Sequence, residues 1–235
     1  MMNIGILGNI KIMRSPLGLR LLLLVLFTTL GGTMSFADNG ALLHQAVVAR
    51  DSDQVADLLQ ASSDNLEARD MQARTPLMIA TQQNDVATAK VLIAAGADVN
   101  AKNGIQDTPY LLAGAEGYNE ILQLTLANGA NIQDTNRYGG TAIIPAAEKG
   151  HLETVKILLN AGLDPNHINN LGWTALMEAV ILGDSSALYV EIVKTLMTGG
   201  ADPNIPDKKG VTALSHAKSR GDQAMIVLLQ AYGGK

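Results

Sequence analysis

The sequence predicts an all-α solenoid of about six stacked helix-turn-helix units, each carrying an exposed finger loop. Three observations carry that reading. Thr75, Thr108, Thr141 and Thr174 recur at intervals of 33 residues, and Thr212 continues the series after 38. Two helix-stop signals follow each threonine at similar distances, which delimits two short helices per repeat. Finally, 47% of the residues are hydrophobic but only 3% aromatic, a composition suited to thin layers packed with Leu, Ile, Val and Ala.

The first 37 residues read as a secretory signal rather than as structure. No acidic residue precedes Asp38, and Lys11, Arg14 and Arg20 come before the apolar run Leu21 to Leu30 and the small residues Gly31, Gly32 and Thr33. Ser35 and Ala37 fit a Ser-x-Ala cleavage site, which makes Asp38 the expected mature N-terminus, and initiation at Met13 would give a signal of more usual length. A spanning helix needs about 20 apolar residues, whereas this run is interrupted at Thr28, Thr29, Gly31 and Gly32. The expected location is therefore the periplasm or the exterior, with no membrane attachment after cleavage. The remaining 198 residues carry 14 basic and 22 acidic side chains.

Units are expected over residues 38–69, 70–102, 103–135, 136–168, 169–206 and 207–235. The first is degenerate: Ala41, Leu43, Ala46, Val55 and Leu58 keep the apolar frame, but no Thr-Pro is present, as suits an N-terminal cap. In each later unit the threonine is placed to accept from the free N–H groups at a helix start. Pro76 and Pro109 suit the first turn, where no N–H partner is lost. Nine residues after each threonine stands Asn84, Gly117, Gly150, Gly183 or Gly221, residue types that tolerate a left-handed helix end. A second apolar stretch, such as Val155, Leu158 and Leu159, runs to Gly96, Gly129, Gly162, Gly200 or Gly233. Turn formers such as Asp98-Val99-Asn100 and Asp164-Pro165-Asn166 then lead into the finger. Pro145, four residues after Thr141, predicts a loose or bent helix start. The five extra residues between Gly183 and Val193 predict a bulged helix–helix loop.

This frame, seen in Thr75-Pro76-Leu77-Met78-Ile79-Ala80 and Thr108-Pro109-Tyr110-Leu111-Leu112-Ala113, resembles the ankyrin repeat over essentially the whole chain after the signal. The run from His167 to Leu176 resembles in particular the small exported ankyrin proteins of bacteria. One departure is that the histidine usual after Thr-Pro-Leu is replaced by Met78, Leu111, Ile144, Met177 and Ser215, which keeps packing volume and loses polar cross-links. The resemblance implies a protein–protein interaction module whose contacts come from the fingers and the concave inner-helix face, acting as helper or inhibitor of an envelope protein.

Within that frame Arg137, Tyr138, Asn170, Leu171 and Trp173 fall at fingers, and Glu148, Met177, Glu178, Ile181 and Leu182 on inner helices. Partly exposed Trp, Tyr and Arg are over-represented among interface anchors, so these residues form the predicted partner-binding surface. The competing reading has Trp173 folded onto its own repeat, with Ile181 and Leu182 covering the insertion.

A net charge of −5 gives no excess of cations for phosphates, so nucleic acid is not an expected partner. The absence of Cys removes disulfides, thiolate metal sites and Cys nucleophiles. No phosphate loop or nucleophile motif is present, and neither catalytic residues, a metal nor a cofactor is expected. His44, His151 and His216 sit where local capping explains them. The alternative from another class is a hydrolase or small-ligand-binding protein using a polar pocket at Glu148, His167 and Glu178. The chain is expected to act as a monomer.

Overall fold

A computed structural model of the chain describes residues 36–235, which fold into twelve helices with no strand among them. The predicted signal lies outside the described residues, apart from Phe36 and Ala37 at the start of the first helix. The helices are α1 (Phe36–Val48), α2 (Ser52–Ala61), α3 (Pro76–Gln82), α4 (Val86–Ala94), α5 (Pro109–Glu116) and α6 (Asn119–Ala127). They continue as α7 (Ile143–Glu148), α8 (Leu152–Asn160), α9 (Ala175–Leu182), α10 (Ala187–Thr198), α11 (Ala213–Arg220) and α12 (Gln223–Ala231).

Consecutive helices pair, and the pairs stack in two layers. The inner layer runs α1, α3, α5, α7, α9, α11 and the outer layer α2, α4, α6, α8, α10, α12, each helix packing on the next of its own layer. Leu77, Leu92, Ile121, Ile143, Leu158, Leu176, Ile192 and Leu229 are buried between the layers as one continuous apolar seam. Helices of two to three turns are marginal alone, so this seam fixes them. In the first pair Leu43, Ala46 and Val55 join the core, whereas Ala41 is exposed.

The threonines cap as expected in four of five repeats. The Oγ1 of Thr75, Thr108, Thr174 and Thr212 accepts from the N–H of Met78, Leu111, Met177 and Ser215. Each backbone carbonyl of the same four accepts from the residue four positions on: Ile79, Leu112, Glu178 and His216. In the fourth pair that donor would be Pro145, which has no N–H. The carbonyl of Thr141 is taken instead by the N–H of Ile144, and the buried Thr141 hydroxyl is left without a partner. Helix α7 starts one residue late, after Ala142, so Pro145 falls in its first turn, where a missing N–H costs nothing.

The stops at Gly117 and Gly183 differ. Gly117 takes the left-handed conformation, φ 72°. Gly183 ends α9 in extended backbone, φ −62°, and glycine is needed there for space: a Cβ would run into the Ala179 carbonyl and the Tyr189 ring. The insertion also differs from the predicted bulge. Helix α10 has 12 residues where α6 has 9, so most of the extra length continues the outer helix. Its Tyr189 hydroxyl donates to the Glu148 carbonyl at 2.7 Å and ties the extension to α7.

Candidate binding groove

Each finger is held by one side chain that the sequence reading did not single out. Asp70, Asn103, Asn136, Asn169 and Asp207 each stand five residues before the repeat threonine, and each Oδ1 accepts from the N–H groups two and four residues on. A short oxygen acceptor that closes its own backbone turn in this way fixes the finger locally. The signal was available: these five Asx residues recur with the same 33- and 38-residue spacing as the threonines.

Asn169 has a second role. Its Nδ2 donates to Glu178 Oε1 at 2.9 Å, which joins the fourth finger to the floor of a concave cavity of about 440 Å³ on the inner-helix face. The cavity is lined from three consecutive pairs. Asp107, Leu112 and Glu116 form one wall, Arg137, Tyr138, Pro145, Glu148 and Lys149 the middle, and Leu171, Trp173, Glu178 and Leu182 the far wall. Tyr138 and Leu171 are each 56% exposed and Leu182 50%, while Trp173 is half-buried.

Most of the predicted binding residues thus come together: Arg137, Tyr138, Glu148, Leu171, Trp173, Glu178 and Leu182 share one groove. Trp173 lines it instead of closing on its own repeat alone. Met177 does not belong to it. It is 1% exposed and lies in the core, as does Met78 at the same place in the frame, whereas the equally placed Leu111 and Ile144, though buried, touch the cavity. About 100° of helix rotation separates it from Glu178, enough to move from core to groove. Ile181 is half-buried and Asn170 exposed, and neither lines the cavity. The Asn170 backbone instead bridges fingers, its N–H donating to the Tyr138 carbonyl and its carbonyl accepting from Lys208 Nζ.

The predicted trio of Glu148, His167 and Glu178 does not assemble. His167 Nε2 bonds the Gly139 carbonyl at 2.7 Å, which holds the ring on the neighbouring finger and outside the cavity wall. His44 and His216 make local contacts, to the Gly40 carbonyl and to Asp207 Oδ2. His151 stands at the cap position of α8 without making a side-chain cap bond, which corrects the capping role predicted for it. Among the described residues no three His, Asp or Glu side chains gather as a metal site would.

The electrostatics of the groove are uneven. Arg137 bonds Asp107 Oδ2 at 3.2 Å and stacks over the Tyr138 ring, 4.6 Å from its centroid. Burial pushes the Asp107 carboxyl up and Arg137 opposes the shift. Lys149 Nζ bonds Glu116 Oε1 at 2.6 Å. Glu178 is 4% exposed, and its pKa is pushed up to about 7, first by burial, then by the charge of Glu148, with the Asn169 bond opposing.

The repeats, the paired layers and the fingers recur in known proteins. A sequence profile of ankyrin repeats in three copies matches residues 110–190, and a single ankyrin-repeat profile matches residues 73–104. The crystal structure of an ankyrin repeat domain from Acinetobacter baumannii AYE is 51% identical, with a TM-score of 0.80, over 82% of this chain and 98% of that one. The chain belongs to the ankyrin-repeat family. A second solved ankyrin repeat protein is 44% identical over the same shares, with a TM-score of 0.79. The ankyrin repeat domain of Bcl-3, a member of the IkappaB protein family, is 26% identical with a TM-score of 0.74, over 87% of this chain and 88% of that one. No protein of curated function matches the chain. Ankyrin repeats are generally protein–protein interaction modules and the fold is typically non-enzymatic.

Proposed function

We propose that this ankyrin-repeat chain is an exported binding protein that grips one protein partner in the groove between the third and fourth fingers, as helper or inhibitor of an envelope protein. The observation that carries the reading is the clustering of Tyr138, Leu171, Trp173 and Leu182, partly exposed, around a single concave cavity. Exposed aromatic and aliphatic groups gathered in a concavity are the usual anchors of an interface, whereas scattered ones need no explanation. Export rests on the basic, apolar and small-residue order of residues 1–37.

The test is capture from a periplasmic extract with the full chain, with the double variant Leu171→Ala, Trp173→Ala, and with Val227→Ala on the exposed face of α12. A partner retained by the wild type and by Val227→Ala but lost by the double variant supports the groove. Equal capture by all three refutes it. N-terminal sequencing of the protein recovered from that fraction is expected to begin at Asp38.

A further inference from the structure

The ionisable groups of the groove do not balance. Its two cations are each engaged, Arg137 with Asp107 and Lys149 with Glu116. Two carboxylates remain. Among the described residues Glu148 makes no ion pair or side-chain hydrogen bond, and Glu178, 4% exposed, receives only the Asn169 amide, on Oε1. Ionising a carboxyl this buried is costly unless a partner supplies a donor or a positive charge. Beside these acids the groove is lined by Leu171, Leu182, Trp173 and Tyr138, an apolar and aromatic lining that suits an alkyl stem and a flat cation.

We propose that the groove receives one arginine side chain of the protein partner, its guanidinium between Glu148 and Glu178 and its methylene stem against Leu171, Trp173 and Leu182. The proposal rests on the groove being the partner site and names the chemistry that the site recognises. A planar guanidinium offers paired donors to carboxylates and stacks on aromatic faces, which a lysine ammonium does only in part. With both carboxylates ionised, docking one cation lowers the uncompensated charge of the groove from two negative charges to one.

No other charge competes for Glu178. Asp107, Glu116, Arg137, Glu148 and Lys149 are the ionisable neighbours across the groove. On the α11 side Arg220 is committed to the carbonyls of Val180, Ile181 and Gly183, and His216 to Asp207. On the α10 side the Tyr189 hydroxyl is committed to the Glu148 carbonyl. Arginine therefore binds the ionised form of Glu178 and displaces its proton, so affinity rises with pH through the range near 7 in which this carboxyl titrates.

Trp173 is the chain's single tryptophan and reports on the groove directly. N-acetyl-arginine amide, added to the full chain at pH 8, is expected to change its emission saturably, and the neutral isostere N-acetyl-citrulline amide to bind at least about tenfold more weakly. N-acetyl-lysine amide falls between them. Lowering the pH to 6 weakens arginine about tenfold, because the ionised fraction of Glu178 falls by that factor. Glu178→Gln keeps the acceptor for Asn169 and Glu148→Gln is part-exposed, so both variants fold, and each is expected to lose most of the arginine response. Citrulline binding as well as arginine, an arginine response that survives both variants, or no saturable response up to about 100 mM overturns the proposal. Silence of the arginine probe beside loss of capture in the Leu171→Ala, Trp173→Ala pair overturns the arginine site alone. Capture that survives that pair overturns the groove as the partner site.

Discussion

Thr174 and Thr141 stand at the same place in successive repeats, and only the first caps its helix. The fifth pair has the full set of local contacts: a hydroxyl cap, a carbonyl bonded to the residue four on, and a finger closed by Asn169. The fourth pair keeps the finger, closed by Asn136, but loses the cap, shortens its inner helix to six residues and buries an unpartnered hydroxyl. The origin is the position four residues after the threonine, filled by Ile79, Leu112, Pro145, Glu178 and His216 in turn. The middle three of these line the groove. A groove-facing position is not constrained by the seam, so it can take a proline or a carboxyl that a core position would reject. Local rules are broken where the surface lines the groove, and packing by the neighbouring pairs holds the repeat in place.

The largest effect should come from the fifth pair's exception, Glu178. Its pKa is raised from 4.5 to about 7 in the folded chain, so the folded state holds a proton that the unfolded chain has released between those values. The stability tied to that proton is present below about 4.5 and lost as pH rises through about 7. At about 1.4 kcal/mol per pKa unit the loss is about 3 kcal/mol. Glu178→Gln, which cannot ionise, should flatten the decline of the unfolding midpoint between pH 5 and 8 and unfold later than the wild type at pH 8. An unchanged slope in thermal scans would mean that other groups set it.

Next in size is the fourth pair's exception. Pro145→Ala restores an N–H that can reach the Thr141 carbonyl and release Ile144 to the Thr141 hydroxyl, so α7 should gain the cap and start that its neighbours have. The expected gain is about 1–2 kcal/mol by denaturant unfolding. It should shrink in the background Thr141→Val, where no hydroxyl remains to cap. A gain of the same size in both backgrounds would break the link between the proline and the lost cap. The single threonine replacements sharpen the same contrast: Thr174→Ala should cost about 1 kcal/mol, and Thr141→Val should be neutral or slightly stabilising because its hydroxyl is already unpartnered.

The repeat frame was legible because its signals are local. A threonine, a proline and a glycine at fixed spacing each state a backbone requirement, and their recurrence fixes twelve helices and two layers. The groove was legible in part for the same reason: fingers and inner helices carry Tyr138, Leu171, Trp173 and Leu182 wherever the stack places them. Met177 was misread because one residue of helix rotation separates the core from the groove, and a marginally amphipathic eight-residue helix does not show which side is which. His167 was misread because its partner is a backbone carbonyl on the preceding finger, a contact that no spacing announces. The five Asx residues that close the fingers were in plain register with the threonines, and were hidden only by alternating between Asp and Asn.

The smallest effect concerns the joint beneath the groove. Asn100, Asn166 and Asn204 each staple one outer turn to the next: Nδ2 donates to the carbonyl of Gly129, Gly200 or Gly233, and Oδ1 accepts from the N–H of Asn131, Asp202 or Lys235. At the equivalent place before the fourth pair stands Gln133, for which no such staple forms. Gln133 is longer than those asparagines by one methylene, and the partners that the frame would supply are the carbonyl of Gly162 and the N–H of Asp164. Gln133→Asn should add the missing staple, with a gain of about 0.5 kcal/mol because the site is exposed. Hydrogen exchange is the sensitive measurement: the Asp164 amide should become protected in the variant to the level of Asp202 in the wild type. If it does not, the outer turns of the third and fourth pairs lie too far apart to be stapled, and the joint itself, beyond the residue at position 133, sets this region apart.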